Sequence, residues 1–396
     1  MTNLFKMSND IEVKIENNIF KYLSENLNKT IEEIKSLYFI EIKKTAAGVN
    51  NKNYIVQIYN KSNNSLANTV FYKHFQGTCS LADRDLEADI VKYLGEKNIG
   101  PKLLKYDKEE KSYRIDEFVN NGRNVLIEEH LQYDIINNVF KILSQYMLFD
   151  DIYKYKIDNT NVAIENINNS KLVNDKINFI SIILSYSEQS KIAYNKFCDD
   201  VNEYYKKNPE TSIMTIEGID IKKDMNEIRD YINNFKDIFI NLIKTKNYFL
   251  CMNHNDVHRL NLLIDNNKKL YLIDNENIML NFIGFDAVLY LCLCIFNVLP
   301  CYAFNEHLLD LDKFYNYYLE YYDMIKDKLE KYEDKYDFKY LKTKEYFYFL
   351  VKIISIYGII FCSANVNFQK EYLDKSCYNY SRHVHDRYKI YNMANK

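Results

Sequence analysis

The sequence predicts an α+β chain in two lobes: a small N-terminal part built on a five-stranded antiparallel sheet, then a larger, mostly helical part. Three observations predict it. Apolar residues at helical spacing give way after residue 37 to short runs rich in Ile, Val, Tyr and Phe. Five such runs lie before residue 120, with one strong helical pattern among them. From residue 124 nearly every stretch has helical period, except a short hairpin at 261–274.

Ile11, Val13, Ile15, Ile19, Phe20 and Leu23, followed by Ile31, Ile34 and Leu37, give one long or two short helices over 10–37. "LYFIEI", "NYIVQIY" and "NTVFYKHF" are three strands, separated by the turn-rich "KKTAAGVNNK" and "NKSNNSLA". "SLADRDLEADIVKYLGEKN" is a helix with Ser80 as its cap, an acid-rich first turn and a stop at Asn98-Ile99-Gly100-Pro101. "PKLLKYD" and "KSYRIDEFV" complete the sheet. The junction falls near "EFVNNGRN", dividing the chain into an N-lobe of residues 1–120 and a C-lobe of residues 121–396.

At 396 residues the chain is long enough for two packed lobes, each with its own core. A hydrophobic fraction of 47% with 27% charged residues is that of a soluble globular protein, and only 8 Gly and 3 Pro leave little room for linkers. The net charge of −3 and the short, acid-interrupted basic clusters exclude a generic nucleic-acid surface. "MTNLFKMSND" lacks the apolar core of a signal peptide. The apolar span 282–303 raises the question of a membrane crossing. Asp286, Asn297 and Pro300 interrupt it, so a buried helix and no transmembrane segment are expected. Eight scattered cysteines without a Cys-x-x-Cys pair read as reduced core thiols in a cytoplasmic protein.

The chemistry is concentrated in "CMNHNDVHRLNLLIDNNKKLYLIDNE", residues 251–276. Asp256 followed five positions later by Asn261 is the spacing of a kinase catalytic loop. There the Asp orients the acceptor hydroxyl and takes its proton, and the Asn side-chain oxygen ligates Mg²⁺. Asp274 closes the following hairpin, a place that suits the second magnesium carboxylate. Magnesium prefers hard oxygen ligands and neutralises charge growing on the transferred phosphoryl group. The bland alternative is chance in an Asn-rich chain, with the acids simply solvated. The order of these residues behind a five-strand half argues against it.

On these residues the chain resembles the choline/ethanolamine kinases, within the wider protein-kinase-like fold that includes aminoglycoside phosphotransferases. "FLCMNHNDVHRLNLL" looks like the family's catalytic loop, making Asp256 the base and Asn261 a magnesium ligand. "LIDNENIMLNFIGFD" is similar to its metal-binding segment, making Asp274 the second ligand, with Glu276, Asn281 and Gly284-Phe285-Asp286 also matching. "DRDLE" resembles the family's helix start, which implies that Glu87 partners the ATP-binding basic residue, Lys73 in "VFYKHF". A surface Lys and a capping-turn Glu are the ordinary alternative. "AAGVNNKNY" resembles the phosphate loop, with Gly48 and Asn51 matching, and "IDEFVNNGR" the hinge whose backbone meets adenine, near Glu117, Phe118 and Val119.

The acceptor half departs from the pattern. After Gly-Phe-Asp the chain reads "AVLYLCLC", with Leu293 where the family carries the Glu that faces an ammonium group, and Asn277 stands where a Tyr is usual. The chain has no Trp for an aromatic cage. Glu276, Tyr290 and Tyr357 are the remaining acceptor candidates, although a Tyr on an apolar helical face is commonly core.

The resemblance thus implies Mg²⁺- and ATP-dependent phosphorylation of a small amino alcohol, choline or ethanolamine, for phospholipid head-group synthesis. The alternatives are a kinase of another, aminoglycoside-like alcohol and a catalytically silent nucleotide-binding scaffold. It further implies a possible homodimer.

Overall fold

Two helices precede the first strand because the chain breaks between them. In the computed structural model α1 runs Thr2–Leu27 and α2 Ile31–Leu37. At the break Asn28 takes a left-handed φ of 50°. Thr30 then caps α2 in a reciprocal box: its hydroxyl accepts from the Glu33 amide, and the Glu33 carboxylate accepts from the Thr30 amide. The structure describes residues 2–45, 51–76, 83–146, 158–159, 179–209, 215–216, 219–244, 248–296, 306–331, 337–368, 371 and 380–395.

The five expected strands form one antiparallel sheet: β1 (Tyr38–Lys44), β2 (Asn51–Asn60), β3 (Leu66–Phe75), β4 (Leu103–Tyr106) and β5 (Tyr113–Glu117), in the order β1-β2-β3-β5-β4. Alternation along β2 turns Tyr54, Val56 and Ile58 to one face. There they pack with Val70, Tyr72, Tyr113 and Ile115, and with Ile15, Ile19, Phe20 and Leu23 of α1. Each such fully buried side chain contributes about 1.5–3 kcal/mol of transfer free energy. The Asn18 amide donates to the Tyr72 hydroxyl at 2.8 Å and ties α1 to the sheet.

Helix α3 (Arg84–Glu96) starts later than the sequence suggests. Its cap is Asp83, whose carboxylate accepts from the amides of Asp85 and Leu86, both at 3.1 Å; Ser80 lies outside the described residues. A short acidic side chain at this position satisfies the amides that an α-helix leaves open. The helix ends at Glu96, and Asn98 turns left-handed just beyond it.

The contacts divide the chain into two units, Met1–Asn124 with Leu262–Glu276, and Val125–Asn261 with Asn277–Lys396. In the first, β6 (Arg123–Asn124) pairs with β11 (Leu262–Ile264), which pairs with β12 (Leu270–Leu272). The connecting turn is built by Asp265, whose carboxylate accepts from the amides of Asn267 and Lys269 at 2.8 and 2.9 Å.

The second unit is mostly helical, as expected, but it also holds short strands. The strand β10 (Phe249–Asn253) pairs antiparallel with β13 (Met279–Phe282) and with β7 (Asp158–Asn159). A small hairpin joins β8 (Thr215–Ile216) to β9 (Ile219–Asp220). Every residue of β10 and β13 is buried, so neither strand shows the alternation that marks a half-exposed one. Helix Phe285–Cys294 is the buried helix expected within the span 282–303. Among the described residues, Lys344–Ser363 is the helix long and apolar enough to cross a membrane, and most of it is buried within the protein.

Gly284 begins the helix Phe285–Cys294 with a left-handed φ of 81°. A Cβ there would stand 2.9 Å from the ring of Tyr318, which is wholly buried and donates its hydroxyl to the Leu341 carbonyl at 2.8 Å. Strain and overlap add, so Gly284→Ala is expected to lower unfolding free energy by about 2–4 kcal/mol, read from urea titrations of the two proteins.

Candidate functional site

In the first unit a buried lysine sits inside a cluster of carboxylates. Lys73, on β3, is 2% exposed; its Nζ lies 2.9 Å from Glu87, 2.8 Å from Asp274 and 3.3 Å from Glu276. Glu87 on α3 also accepts from Arg84 at 2.8 Å and from Arg114 on β5 at 2.9 Å. Arg114 in turn donates to Asp116 at 2.9 Å. Arg84 stacks over the Phe75 ring at 4.2 Å and donates to Asn51 at 3.2 Å, while the Asn51 amide donates to Glu276.

The charges set one another's ionisation. Burial alone would push the Lys73 ammonium down, but Glu87 and Asp274 hold it above its usual value. Burial would raise Glu87, but Lys73, Arg114 and Arg84 hold it well below the usual carboxylate range. For Asp116 burial prevails over Arg114 and its carboxyl is raised. Asp274 itself, two residues beyond β12, adopts a left-handed φ of 62°.

In the second unit the segment Asn253–Asn261 leaves β10 as a loop held by side-chain amides. Asn255 has a left-handed φ of 65°; its Nδ2 donates to the carbonyls of Asn253, Asn277 and Met279 at 2.8, 3.0 and 3.2 Å, and its Oδ1 accepts from Asn281 at 2.7 Å. Beneath the loop, Asp286 accepts from the amides of His254 and Asn255 at 2.5 and 2.9 Å. Burial pushes the Asp286 carboxyl up to about 7, against the pull of those two amides. Asp256 follows at the loop's turn. Its Oδ2 accepts from Asn261 at 3.1 Å and from Asn277 at 3.4 Å, and its Oδ1 lies 3.5 Å from His258 Nε2. Burial works to raise Asp256, but His258, His254 and the Asn261 amide together outweigh it and leave the carboxyl below its usual value.

A loop-turn carboxylate with an amide five residues on, in one unit, and a buried lysine paired to a helix glutamate, in the other, are residue types that phosphoryl transfer uses. The family model for choline/ethanolamine kinase matches residues 42–391. The chain belongs to the choline/ethanolamine kinase family. It is a phosphotransferase with an alcohol group as acceptor.

A choline kinase of Cryptosporidium parvum is similar in structure, with a TM-score of 0.57 at 17% identity, covering 90% of this chain and 89% of that one. An ethanolamine kinase of Plasmodium vivax has a TM-score of 0.51 at 13% identity, covering 90% and 82%. These likenesses show the kinase-like fold. No curated protein matches in a search by sequence.

Within this choline/ethanolamine kinase fold, the structure brings Lys73, Glu87, Asp274 and Asn51 together in one unit and Asp256 and Asn261 together in the other. Gly48 lies outside the described residues. Glu117 ends β5 with its amide bonded to the Lys102 carbonyl at 2.8 Å, and Val119 accepts from Gly122 at 3.0 Å, so the strand runs into a tight turn. Phe118 is half-buried between them.

The acceptor candidates fare differently. Glu276 faces Asn51, Lys73 and Arg84 and belongs to the ionic cluster rather than to an acceptor pocket. Tyr290 is wholly buried, and its hydroxyl donates to the His130 carbonyl at 2.7 Å, which makes it a core residue. Tyr357 is half-buried beside Phe179 at 5.3 Å, within electrostatic reach of Asp256. Sequence reasoning missed Arg114, His258 and Asn277. Arg114 looked like one charge in an ordinary strand, and its pairing with Glu87 across 27 residues has no local signature.

Glu87 stands between three buried cations, so Glu87→Gln is expected to cost about 3–5 kcal/mol in unfolding free energy at pH 7. Because its folded pKa is depressed, the stabilisation is fully present above the unfolded value of about 4.5 and is lost as pH falls below it. Urea midpoints measured from pH 7 to pH 3 should therefore converge between wild type and variant towards the acidic end.

Proposed function

We propose that this protein transfers the γ-phosphoryl group of ATP to the hydroxyl of a small amino alcohol, choline or ethanolamine, with Mg²⁺ as cofactor, in phospholipid head-group synthesis. The observation that carries the reading is the state of Asp256: an ionised carboxylate fixed by Asn261 and Asn277 at a loop turn that Asp286 anchors. Such a group accepts the proton of a hydroxyl that attacks phosphorus; positioning and charge stabilisation do the remaining work.

Lys73, buried and held by Glu87, is suited to the α- and β-phosphates. Each unit also offers an oxygen donor that suits magnesium. Asn261 spends its Nδ2 on Asp256, and its Oδ1 accepts no hydrogen bond among the described residues. The Asp274 carboxylate gives one oxygen to Lys73 and is 39% exposed. Magnesium takes few protein ligands and fills its octahedron with water and phosphate oxygens, so each donor by itself suits it. When bound, the ion neutralises charge on the transferred group.

Two of the three acceptor candidates, Glu276 and Tyr290, are committed elsewhere, and this favours a second reading in which the acceptor is another small alcohol. A coupled ADP-release assay with Mg·ATP separates them. Turnover with choline or ethanolamine above the acceptor-free background is expected. Asp256→Ala should reduce it by at least about a thousandfold while ATP binding by calorimetry stays unchanged, and Asp274→Ala should lose turnover and magnesium dependence together. ADP release with neither amino alcohol, in protein that binds ATP, sends the search to a panel of other alcohols; wild-type rates in Asp256→Ala refute the base.

A further inference from the structure

The two oxygens of Asp256 are not equivalent. Each carboxylate oxygen has two lone-pair directions. Oδ2 accepts from two amides, Asn261 at 3.1 Å and Asn277 at 3.4 Å, which occupies both. Oδ1 faces one group, Nε2 of His258, at 3.5 Å. The identity of that nitrogen is set by the other side of the ring. The Leu260 amide donates to His258 Nδ1 at 3.2 Å, so Nδ1 is an acceptor and the neutral ring carries its proton on Nε2, the nitrogen that lies 3.5 Å from Oδ1. At 3.5 Å the two groups are near but not hydrogen-bonded, and contacts of catalytic groups commonly tighten when the reacting complex forms.

The neighbouring His254 has a different task. It is wholly buried, its Nδ1 accepts from the Asp256 amide at 3.3 Å and its ring meets Tyr146 edge-on, so it supports the loop backbone. The His258 side chain, by contrast, is 26% exposed, and that of Asp256 37% exposed.

We propose that His258 is a positioning residue: its Nε2–H fixes Oδ1 of Asp256 so that the remaining lone pair of that oxygen meets the acceptor hydroxyl. The inference rests on the reading of Asp256 as the base. In the step it serves, the hydroxyl proton passes to Oδ1 as the acceptor oxygen bonds to the γ-phosphorus. The bond from that phosphorus to the β-phosphate oxygen breaks, and its electron pair leaves with ADP. Asn261 and Asn277 keep Oδ2 out of the exchange.

The test compares His258→Ala, His258→Gln and Asp256→Asn, alone and combined, in the ADP-release assay. His258→Ala is expected to lower kcat about tenfold to a hundredfold, with KM for ATP and for the acceptor within about twofold and the melting temperature unchanged. Gln places an amide N–H near the position of Nε2, so His258→Gln should recover most of the loss. In the Asp256→Asn background, His258→Ala should lower the residual rate by no more than about twofold, because its effect runs through that carboxylate. Unchanged kcat in His258→Ala, a loss confined to KM for ATP, or a full additional loss in the double variant overturns the inference. Wild-type turnover in Asp256→Asn instead removes the base itself, so the two failures are told apart.

Discussion

The loop that carries Asp256 depends on one buried carboxylate. Asp286 accepts from two successive amides, His254 and Asn255, at the point where β10 ends. Without it those two N–H groups face a dry interior, where each unmet donor costs about 1–3 kcal/mol. Burial has the same origin as the cost: it pushes the Asp286 carboxyl up to about 7, so only the two amides make an ionised group tolerable there. The Asn255 side chain then closes the arrangement by joining three carbonyls and Asn281, and the left-handed Asn255 turns the chain just ahead of Asp256.

The two units solve the problem of holding polar groups inside by opposite means. The first uses formal charge, with Lys73, Arg84 and Arg114 set against Glu87, Asp116, Asp274 and Glu276. The second uses neutral amides, with Asn253, Asn255, Asn261, Asn277 and Asn281 bonded to backbone or to one another around a single exposed carboxylate. Buried charges resist screening by salt, while an amide network is indifferent to pH. A base that must stay ionised is served in the second by the amides of Asn261 and Asn277, whose hydrogen bonds favour the charged form.

What was legible in the sequence follows from range. The strand β2 and the α1 pattern were visible because one face of each is buried and the period shows, while β5, buried from Tyr113 to Asp116, showed through its residue types and its flanking turns. The Asp256–Asn261 spacing was visible because both residues lie in one short loop. The strands β10 and β13 were hidden by burial on both faces, which erases alternation. Arg114, Asn277 and the true neighbours of Glu276 were hidden because their partners are distant in sequence: Asn51 and Glu276 are 225 residues apart. Tyr290 was read as a binding residue on its type alone, whereas its burial is decided by the packing around His130.

The hairpin Leu262–Leu272 adds a constraint on how the protein is made. It belongs to the first unit, although the chain has by then passed through half of the second. Asn124 waits for Leu262, 138 residues later, and Lys73 for Asp274, 201 residues later. On the ribosome the N-terminal sheet therefore emerges long before its last strands and its balancing carboxylates, with Lys73 lacking two of its three acidic partners until residue 276 is synthesised. The first unit is finished only after much of the second has been translated, so neither matures as an independent stretch of chain.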